Sequence, residues 1–299
     1  MWLAIASAVL LGIYDIVKKD AAVANAVPVV LWLSSLVGAA LWLTVFAMQW
    51  LIPDRMSESV LHVPRLSGID HVRLAAKSLL VGCSWTASLY ALKHLPLSIA
   101  SPIRSTSPVI SIICAIAFLQ ERPSPLQCLG MAIVAIAFWF FSIVGRTEGI
   151  HFRRNRWVGW MIMATVLGAL SSIYDKILLQ SMGYSVATVQ SMFTLYMVPV
   201  MTPLALHWWW RRRSNQSETP FRNRLSIWWI SPLLLAADWV YFTALANPEA
   251  MVSVVSTLRR CSVIVVLALG AKRLGEVNLK RKTACVFGLL SGVVLVLLG

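Results

Sequence analysis

Three arginines lie inside apolar stretches of the sequence, where a charged side chain is costly. Arg104 is six residues into an apolar run that spans 98–119, and Arg259 and Arg260 lie near the middle of a run that spans 250–270. A guanidinium group stays charged and forms paired hydrogen bonds to carboxylate or phosphate oxygens. We therefore expect Arg259 or Arg260 to hold the anionic group of a ligand, with Arg104 approaching the same place.

Three aspartates in apolar runs are the available partners for these arginines. Asp15, Asp175 and Asp238 could each neutralise one guanidinium and thereby specify helix packing only. Asp238, in the middle of its run, is the better candidate for a proton-binding group or a counter-ion. Asp15 and Asp175 lie toward the ends of their runs, near Lys18 and Lys176, so interfacial ion pairs are a simpler interpretation than proton coupling.

Hydroxyl and aromatic side chains accompany the arginines. Ser101 and Ser105 lie on one helical face of the run that contains Arg104, and Ser256 shares a face with Arg260. Prolines around Arg104 free backbone carbonyl groups, which must be satisfied in a cavity. We expect a wet pocket midway along the helices, lined by the arginines, by Ser101 and Ser256, and by four aromatic residues: Tyr14, Trp85, Tyr174 and Trp239.

The composition explains why these charges are costly. The chain of 299 residues is 59% hydrophobic and 13% charged, whereas about a quarter of the residues are charged in a soluble domain. The formal net charge is +14, but the positive residues lie between apolar runs and form no basic domain. This distribution favours an integral membrane protein whose loops contact lipid headgroups, and it argues against nucleic-acid binding.

Ten apolar runs account for nearly the whole chain. They span roughly 2–19, 27–51, 73–92, 98–119, 125–145, 157–180, 185–210, 226–246, 250–270 and 280–298. Each is close to the roughly 20 residues that a helix needs to cross a bilayer. Backbone groups inside lipid must be bonded within the segment, which favours helices over strands. The sequence predicts an all-α integral membrane protein with ten transmembrane helices, and we expect it in the cytoplasmic (inner) membrane.

The two halves of the chain resemble each other. Ile13-Tyr14-Asp15 recurs as Ile173-Tyr174-Asp175, Trp85 corresponds to Trp239, and Arg104 corresponds to Arg259. Because each half has five helices, an odd number, the second half must enter the membrane inverted. The sequence predicts two inverted-topology five-helix repeats, at 1–147 and 148–299, with a substrate site near the membrane midplane where they meet.

Lysines and arginines are divided unevenly between the two sides of the predicted bundle. Most lie after the first, third, fifth, seventh and ninth runs, and Lys18 is counted with them at the end of the first run. The other side holds Arg55, Arg65, Arg73, Lys77 and Arg122. This bias would place both termini outside the cytoplasm.

With these features the sequence resembles the EamA-type ten-helix members of the drug/metabolite transporter superfamily. The residues that carry the resemblance are the stretch from Tyr90-Ala91-Leu92 to Pro108, Glu121 before a helix that contains Gly130, and the equivalent Glu276 before a helix that contains Gly288. The resemblance implies a small-molecule transporter, in a family that moves amino acids, sugars, nucleotide sugars, phosphorylated metabolites and cationic drugs. It also implies that both termini lie inside, so the orientation stays open.

The predicted function is secondary active transport of a small organic anion or zwitterionic metabolite by alternating access, coupled to protons or to exchange. Two alternatives stay open, namely export of cationic or aromatic compounds and flipping of a phosphorylated lipid carrier. The sequence contains no ATP-binding, zinc-hydrolase or nucleophile motif, so we expect neither an enzyme nor a cofactor or metal. The expected partners are a small-molecule substrate and membrane lipids. Gly288 and Gly292 favour close packing, in a monomer or a homodimer.

Overall fold

The computed structural model is a bundle of helices. It describes residues 2–95, 100, 103, 104, 107, 110, 114, 116, 117, 120, 122–146, 155–214, 219–262, 264–266 and 279–299. Within these residues all regular secondary structure is helical, which confirms the predicted all-α class. Of the predicted site residues, Ser101 and the side chain of Arg260 lie outside this described part.

The helix boundaries follow the apolar runs closely. The helices are α1 (Trp2–Ala22), α2 (Val27–Leu51), α3 (Pro53–Ser57), α4 (Gly68–His94), α5 (Pro125–Arg146), α6 (Arg156–Lys176), α7 (Val186–Arg213), α8 (Leu225–Ala246), α9 (Val252–Arg260) and α10 (Leu279–Leu298). A π-helical turn, Ile177–Ser181, continues α6. The described residues from 100 to 117, and those at 262 and 264–266, are also helical.

Several of these helices have the dimensions of membrane spans. Within the described residues, α2, α6 with its π-helical turn, α7 and α8 are long and apolar enough to cross a bilayer. The sequence of α1 is comparably long but carries Asp15, Lys18 and Lys19. The apolar helices indicate a multi-pass integral membrane protein, and the charges on α1 require partners inside the bundle.

The distribution of polarity is the reverse of that in a soluble protein. Large apolar side chains such as Leu43, Trp139 and Leu206 are exposed on the outside of the bundle. Lys18 and Lys77 are buried inside it, with 4% and 1% of their surface exposed. The sequence analysis counted both lysines with the charges outside the membrane, and this prediction was wrong. Both lysines therefore add positive charge to the interior of the bundle and not to either membrane surface.

Long helix pairs hold the bundle together. α1 packs along α8, α4 along α6, α2 along α7, and α5 along α10. Hydroxyl groups tie the first two pairs, because Ser7 of α1 donates to the carbonyl of Ala237 at 2.8 Å and Ser84 of α4 donates to the carbonyl of Ala164 at 2.8 Å. Such hydrogen bonds between helices contribute about 0.6–2 kcal/mol each in a membrane. They fix the helices that carry the buried charges.

Small residues allow the closest of these approaches. A methyl group added at Gly292 of α10 would lie 2.8 Å from the carbonyl oxygen of Gly130 in α5, and one added at Gly288 would lie 3.1 Å from the Cβ atom of Ala137. The paired glycines that the sequence assigned to close packing are therefore used within the chain, between α5 and α10.

Candidate functional site

The charged residues of the interior converge on one cavity. Its volume is about 130 Å³, and side chains from α1, α4, α6, α7, α8 and α9, together with residues 104 and 107, line it. Four of the lining side chains are cations (Lys18, Lys77, Arg104 and Arg259) and two are anions (Asp175 and Asp238). Charges collected around a cavity inside a membrane bundle are typical of a substrate or ion pathway.

Arg259 forms an ion pair with Asp238 across the cavity wall. α8 carries Asp238 in its central turns, α9 carries Arg259, and an Nη atom of Arg259 donates to the Asp238 carboxylate. The guanidinium group also lies 4.2 Å from the centroid of the Tyr241 ring. The buried Nε atom of Arg259 has no hydrogen-bond partner among the described residues. The pair is therefore only partly satisfied within the described protein, and it keeps a donor for a ligand.

Arg104 is paired with the aspartate of α1. Its Nη1 atom lies 3.4 Å from Oδ1 of Asp15, and about a quarter of the Arg104 side chain is exposed. The distance is long for a charge-assisted hydrogen bond, which is normally 2.7–2.9 Å. Arg104 lines the cavity, whereas Asp15 is not among the described residues that line it.

A third ion pair joins Lys77 of α4 to Asp175 of α6 and is the most deeply buried of the three. The two side chains are 2% and 6% exposed, and the lysine ammonium contacts the Asp175 carboxylate directly. The rings of Phe193 and Phe242 each lie 5.1 Å from the same ammonium. Removing one partner of such a buried pair typically costs about 3–5 kcal/mol because the other charge stays buried and alone.

Lys18 has no carboxylate partner among the described residues. Its ammonium lies 5.3 Å from the centroid of the Tyr14 ring and 5.9 Å from that of the Trp85 ring. These distances permit cation–π attraction, but aromatic rings do not neutralise the charge. The sequence contained a signal for this placement: Lys18 follows Tyr14 by four residues, which puts both on one face of α1.

Half of the predicted site residues meet at the cavity. Those that line it are Tyr14, Trp85, Arg104, Asp175, Asp238 and Arg259, with Asp15 paired to Arg104. The aromatic pair from the first half of the chain therefore reaches the cavity. Sequence reasoning did not select Lys18 or Lys77, which also line it.

Three other predicted residues lie elsewhere. The Trp239 ring is tilted against that of Trp42, with ring centroids 6.3 Å apart, and the Tyr174 hydroxyl donates to the carbonyl of Arg73 at 3.1 Å. Ser256 is buried in α9 and is not among the residues that line the cavity. Tyr14 and Trp85 therefore line the cavity, whereas Tyr174 and Trp239, which match them in the sequence, do not.

A bundle of apolar helices around a charged interior cavity is the architecture of a multi-pass membrane transporter. The sequence model of the EamA-like transporter family matches residues 1–143, which places the protein in the drug/metabolite transporter superfamily. A protein of known crystal structure superposes with a TM-score of 0.70 over 98% of this chain and 97% of its own, at 14% identity, so it supports the fold alone. No curated protein matches the sequence significantly.

Proposed function

We propose that this protein is a secondary active transporter that moves a small organic anion or zwitterionic metabolite by alternating access, coupled to protons or to exchange. The observation that carries the proposal is the charge of the cavity. Among the described residues, the four cations Lys18, Lys77, Arg104 and Arg259 face three carboxylates when Asp15 is included. An anionic group of a substrate would balance the remaining positive charge, since uncompensated charge is costly inside a membrane bundle.

The proposal includes two inverted five-helix halves, 1–147 and 148–299, in a ten-helix protein of the cytoplasmic membrane. The helix pairs support it. α1 packs along α8 and α4 along α6, so the first helix of each half contacts the third helix of the other. α2 packs along α7 and α5 along α10, each with its own counterpart. A two-fold axis between the halves would generate this pattern, and the cavity lies among the reciprocal pairs.

The paired charges suggest how the site works. Asp238 serves as the counter-ion of Arg259, and Asp15 serves as that of Arg104, while the cavity has no substrate. An entering carboxylate or phosphate competes for the guanidinium groups and takes the unsatisfied Nε donor of Arg259. Ser101 and Arg260, which lie close in the sequence to Arg104 and Arg259, remain proposed contributors. Each aspartate released in this way becomes available for a proton or for the ammonium of a zwitterion.

The ion pairs also suit a second function, the export of cationic or aromatic compounds. In that case Arg104 and Arg259 stay paired for structural reasons, and a cation displaces Lys77 from Asp175. The aromatic rings of Trp85 and Phe193 in the lining would contact such a compound. The surplus of cations around the cavity favours the anion as the substrate.

Ligand-dependent melting of the detergent-purified protein tests these functions. A compound that binds the folded state raises the melting temperature by mass action. We expect succinate, inorganic phosphate or glutamate to stabilise the wild type and to stabilise Arg259→Lys less, with the exposed Arg212→Lys as control. Stabilisation by tetraphenylphosphonium alone would favour the cation exporter, and stabilisation by an undecaprenyl phosphate alone would favour lipid flipping.

A further inference from the structure

The wall of the cavity includes a cation without a carboxylate partner and a hydroxyl group without a hydrogen-bond partner among the described residues. The ammonium of Lys18 has no carboxylate partner among these residues, and its side chain is almost fully buried. The hydroxyl of Ser88 in α4 is buried, with 5% of the residue exposed, and has no hydrogen-bond partner in the described part of the chain. Both residues line the cavity. Unsatisfied buried polar groups in a cavity are what a polar ligand would complete.

The two groups belong to the same part of the cavity wall. Ser88 follows Trp85 by three residues, so both lie on one face of α4, and the Lys18 ammonium lies 5.9 Å from the Trp85 ring. The centroid of the Tyr14 ring, one turn before Lys18 on α1, lies 5.3 Å from the same ammonium. The Lys18 ammonium is therefore near two aromatic rings of the cavity wall.

We propose that Lys18 and Ser88 form the subsite that binds the anionic oxygens of the substrate, a carboxylate or a phosphate. Lys18 supplies the charge, Ser88 donates a second hydrogen bond, and the ring of Trp85 covers the adjacent part of the substrate. This inference rests on the proposed transport of an anion or zwitterion and identifies where its anionic group is held.

The ion pairs explain why Lys18 adds a contact that the arginines do not supply alone. Arg104 and Arg259 each have an aspartate, and Lys77 has Asp175, so an anion that approaches these cations meets a carboxylate already bound to each of them. An anion that binds Lys18 does not have to displace any carboxylate of the described residues. Charge-assisted hydrogen bonds are about twice as strong as neutral ones, so an ammonium in the cavity wall that forms no ion pair with the described residues is a favourable contact for an anion.

The neighbouring lysine provides a matched control. Lys19 lies one residue further along α1, but it is not among the residues that line the cavity and donates to the carbonyl of Leu92, near the end of α4, at 3.3 Å. Lys18→Met and Lys19→Met therefore remove the same charge from the same helix, inside and outside the proposed subsite. Ser88→Ala removes only the hydroxyl group.

The experiment measures melting of the detergent-purified variants in titrations with succinate, glutamate and inorganic phosphate. We expect Lys18→Met to weaken binding of the anion that stabilises the wild type by about tenfold or more, Ser88→Ala to weaken it less, and Lys19→Met to leave it unchanged. Without ligand, Lys18→Met should melt no lower than the wild type, because it removes a buried charge that lacks a carboxylate. The anion that gives the shift distinguishes a carboxylate from a phosphate.

Two results would overturn the inference in different ways. Equal binding of an anion by the wild type and a folded Lys18→Met would refute the subsite and leave the proposed function intact. Failure of all three anions to stabilise the wild type would refute the proposed function and the subsite together. If Lys18→Met does not fold, Lys18→Gln replaces it, and undiminished binding by that variant overturns the subsite in the same way.

Discussion

Asp15 and Arg104 form an ion pair, whereas Asp175 and Arg259, which occupy the corresponding places in the second half of the sequence, each pair with a different residue. Asp175 contacts Lys77, and Arg259 contacts Asp238. If the halves are inverted repeats, the opposite-facing state of the transporter is related to this one by exchanging their conformations. Arg259 would then move from Asp238 to Asp175.

This exchange predicts a specific loss of transport. The double variant Lys77→Gln/Asp175→Asn removes both charges of one ion pair, so it leaves no orphaned charge, but it takes away the second carboxylate for Arg259. We expect anion binding measured by melting to persist and uptake into proteoliposomes to fall by at least about tenfold, the loss expected when a contact worth about 1.4 kcal/mol is missing. Uptake at the wild-type rate would exclude the exchange.

The pair of Arg259 and Asp238 should behave as a coupled unit in stability measurements. Arg259→Gln alone leaves a buried carboxylate without its partner and should cost about 3–5 kcal/mol of unfolding free energy. Adding Asp238→Asn should restore most of that loss, because no uncompensated charge remains. Denaturation of the four members of this cycle measures the coupling, and strictly additive losses would mean that the two side chains do not interact in the folded protein.

The packing contact between α5 and α10 should not tolerate an added side chain at Gly292. A methyl group there would lie 2.8 Å from the Gly130 carbonyl oxygen and 2.9 Å from the backbone nitrogen of Val134, and backbone atoms cannot rotate away. We expect Gly292→Ala to lower the unfolding free energy by about 1–3 kcal/mol. Gly159→Ala in α6 is the matched control, since a methyl group at Gly159 would meet nothing within 4 Å. Equal melting of the two variants would contradict this packing.

Opposite ends of the bundle can be assigned to membrane sides by cysteine labelling. α2 and α7 run antiparallel, because Trp32 near the start of α2 donates to Thr202 near the end of α7, and Trp42 further along α2 packs with Ala187 near the start of α7. Exposed residues after the two helices, Glu58 and Ser214, therefore mark opposite ends.

The distribution of arginines predicts the outcome of this labelling. Arg211, Arg212 and Arg213 precede Ser214, and positive residues stay on the cytoplasmic side. In a variant without its native cysteines, we expect an impermeant maleimide to label Glu58→Cys in intact cells and Ser214→Cys only after permeabilisation. The reverse pattern would mean that the termini lie inside, as the family resemblance implies.

The helices could be predicted from the sequence because apolar runs bounded by charges and turn residues translate directly into spans. The run at 27–51 coincides with α2, and that at 226–246 differs from α8 by one residue. The sequence analysis identified interior charges in the middle of their runs, such as Asp238 and Arg259, and also Asp15 and Asp175 nearer the ends. Lys18 and Lys77 lie within a few residues of the ends of their runs, where long side chains ordinarily extend to the membrane surface.

The choice of ion-pair partners depended on contacts between helices that are distant in sequence. Asp175 has Lys176 beside it in the chain, but adjacent residues of a helix point in different directions, and the structure pairs Asp175 with Lys77 of α4. The sequence also did not show that corresponding residues of the two halves differ in whether they line the cavity. Trp85 and Trp239 correspond in sequence, yet of the two only Trp85 lines the cavity, whereas Trp239 packs near Trp42.

The close contact between Gly292 and α5 stabilises the bundle at a place that is distant from the residues that select a substrate. None of the described residues that line the cavity belongs to α5 or α10. Substitutions in the cavity lining can therefore alter the preferred substrate while the packing of α10 against α5 at Gly292 continues to support the bundle. A superfamily whose members differ so widely in substrate could diversify in this way: the outer helices preserve a common frame, and the inner side chains change with each new solute.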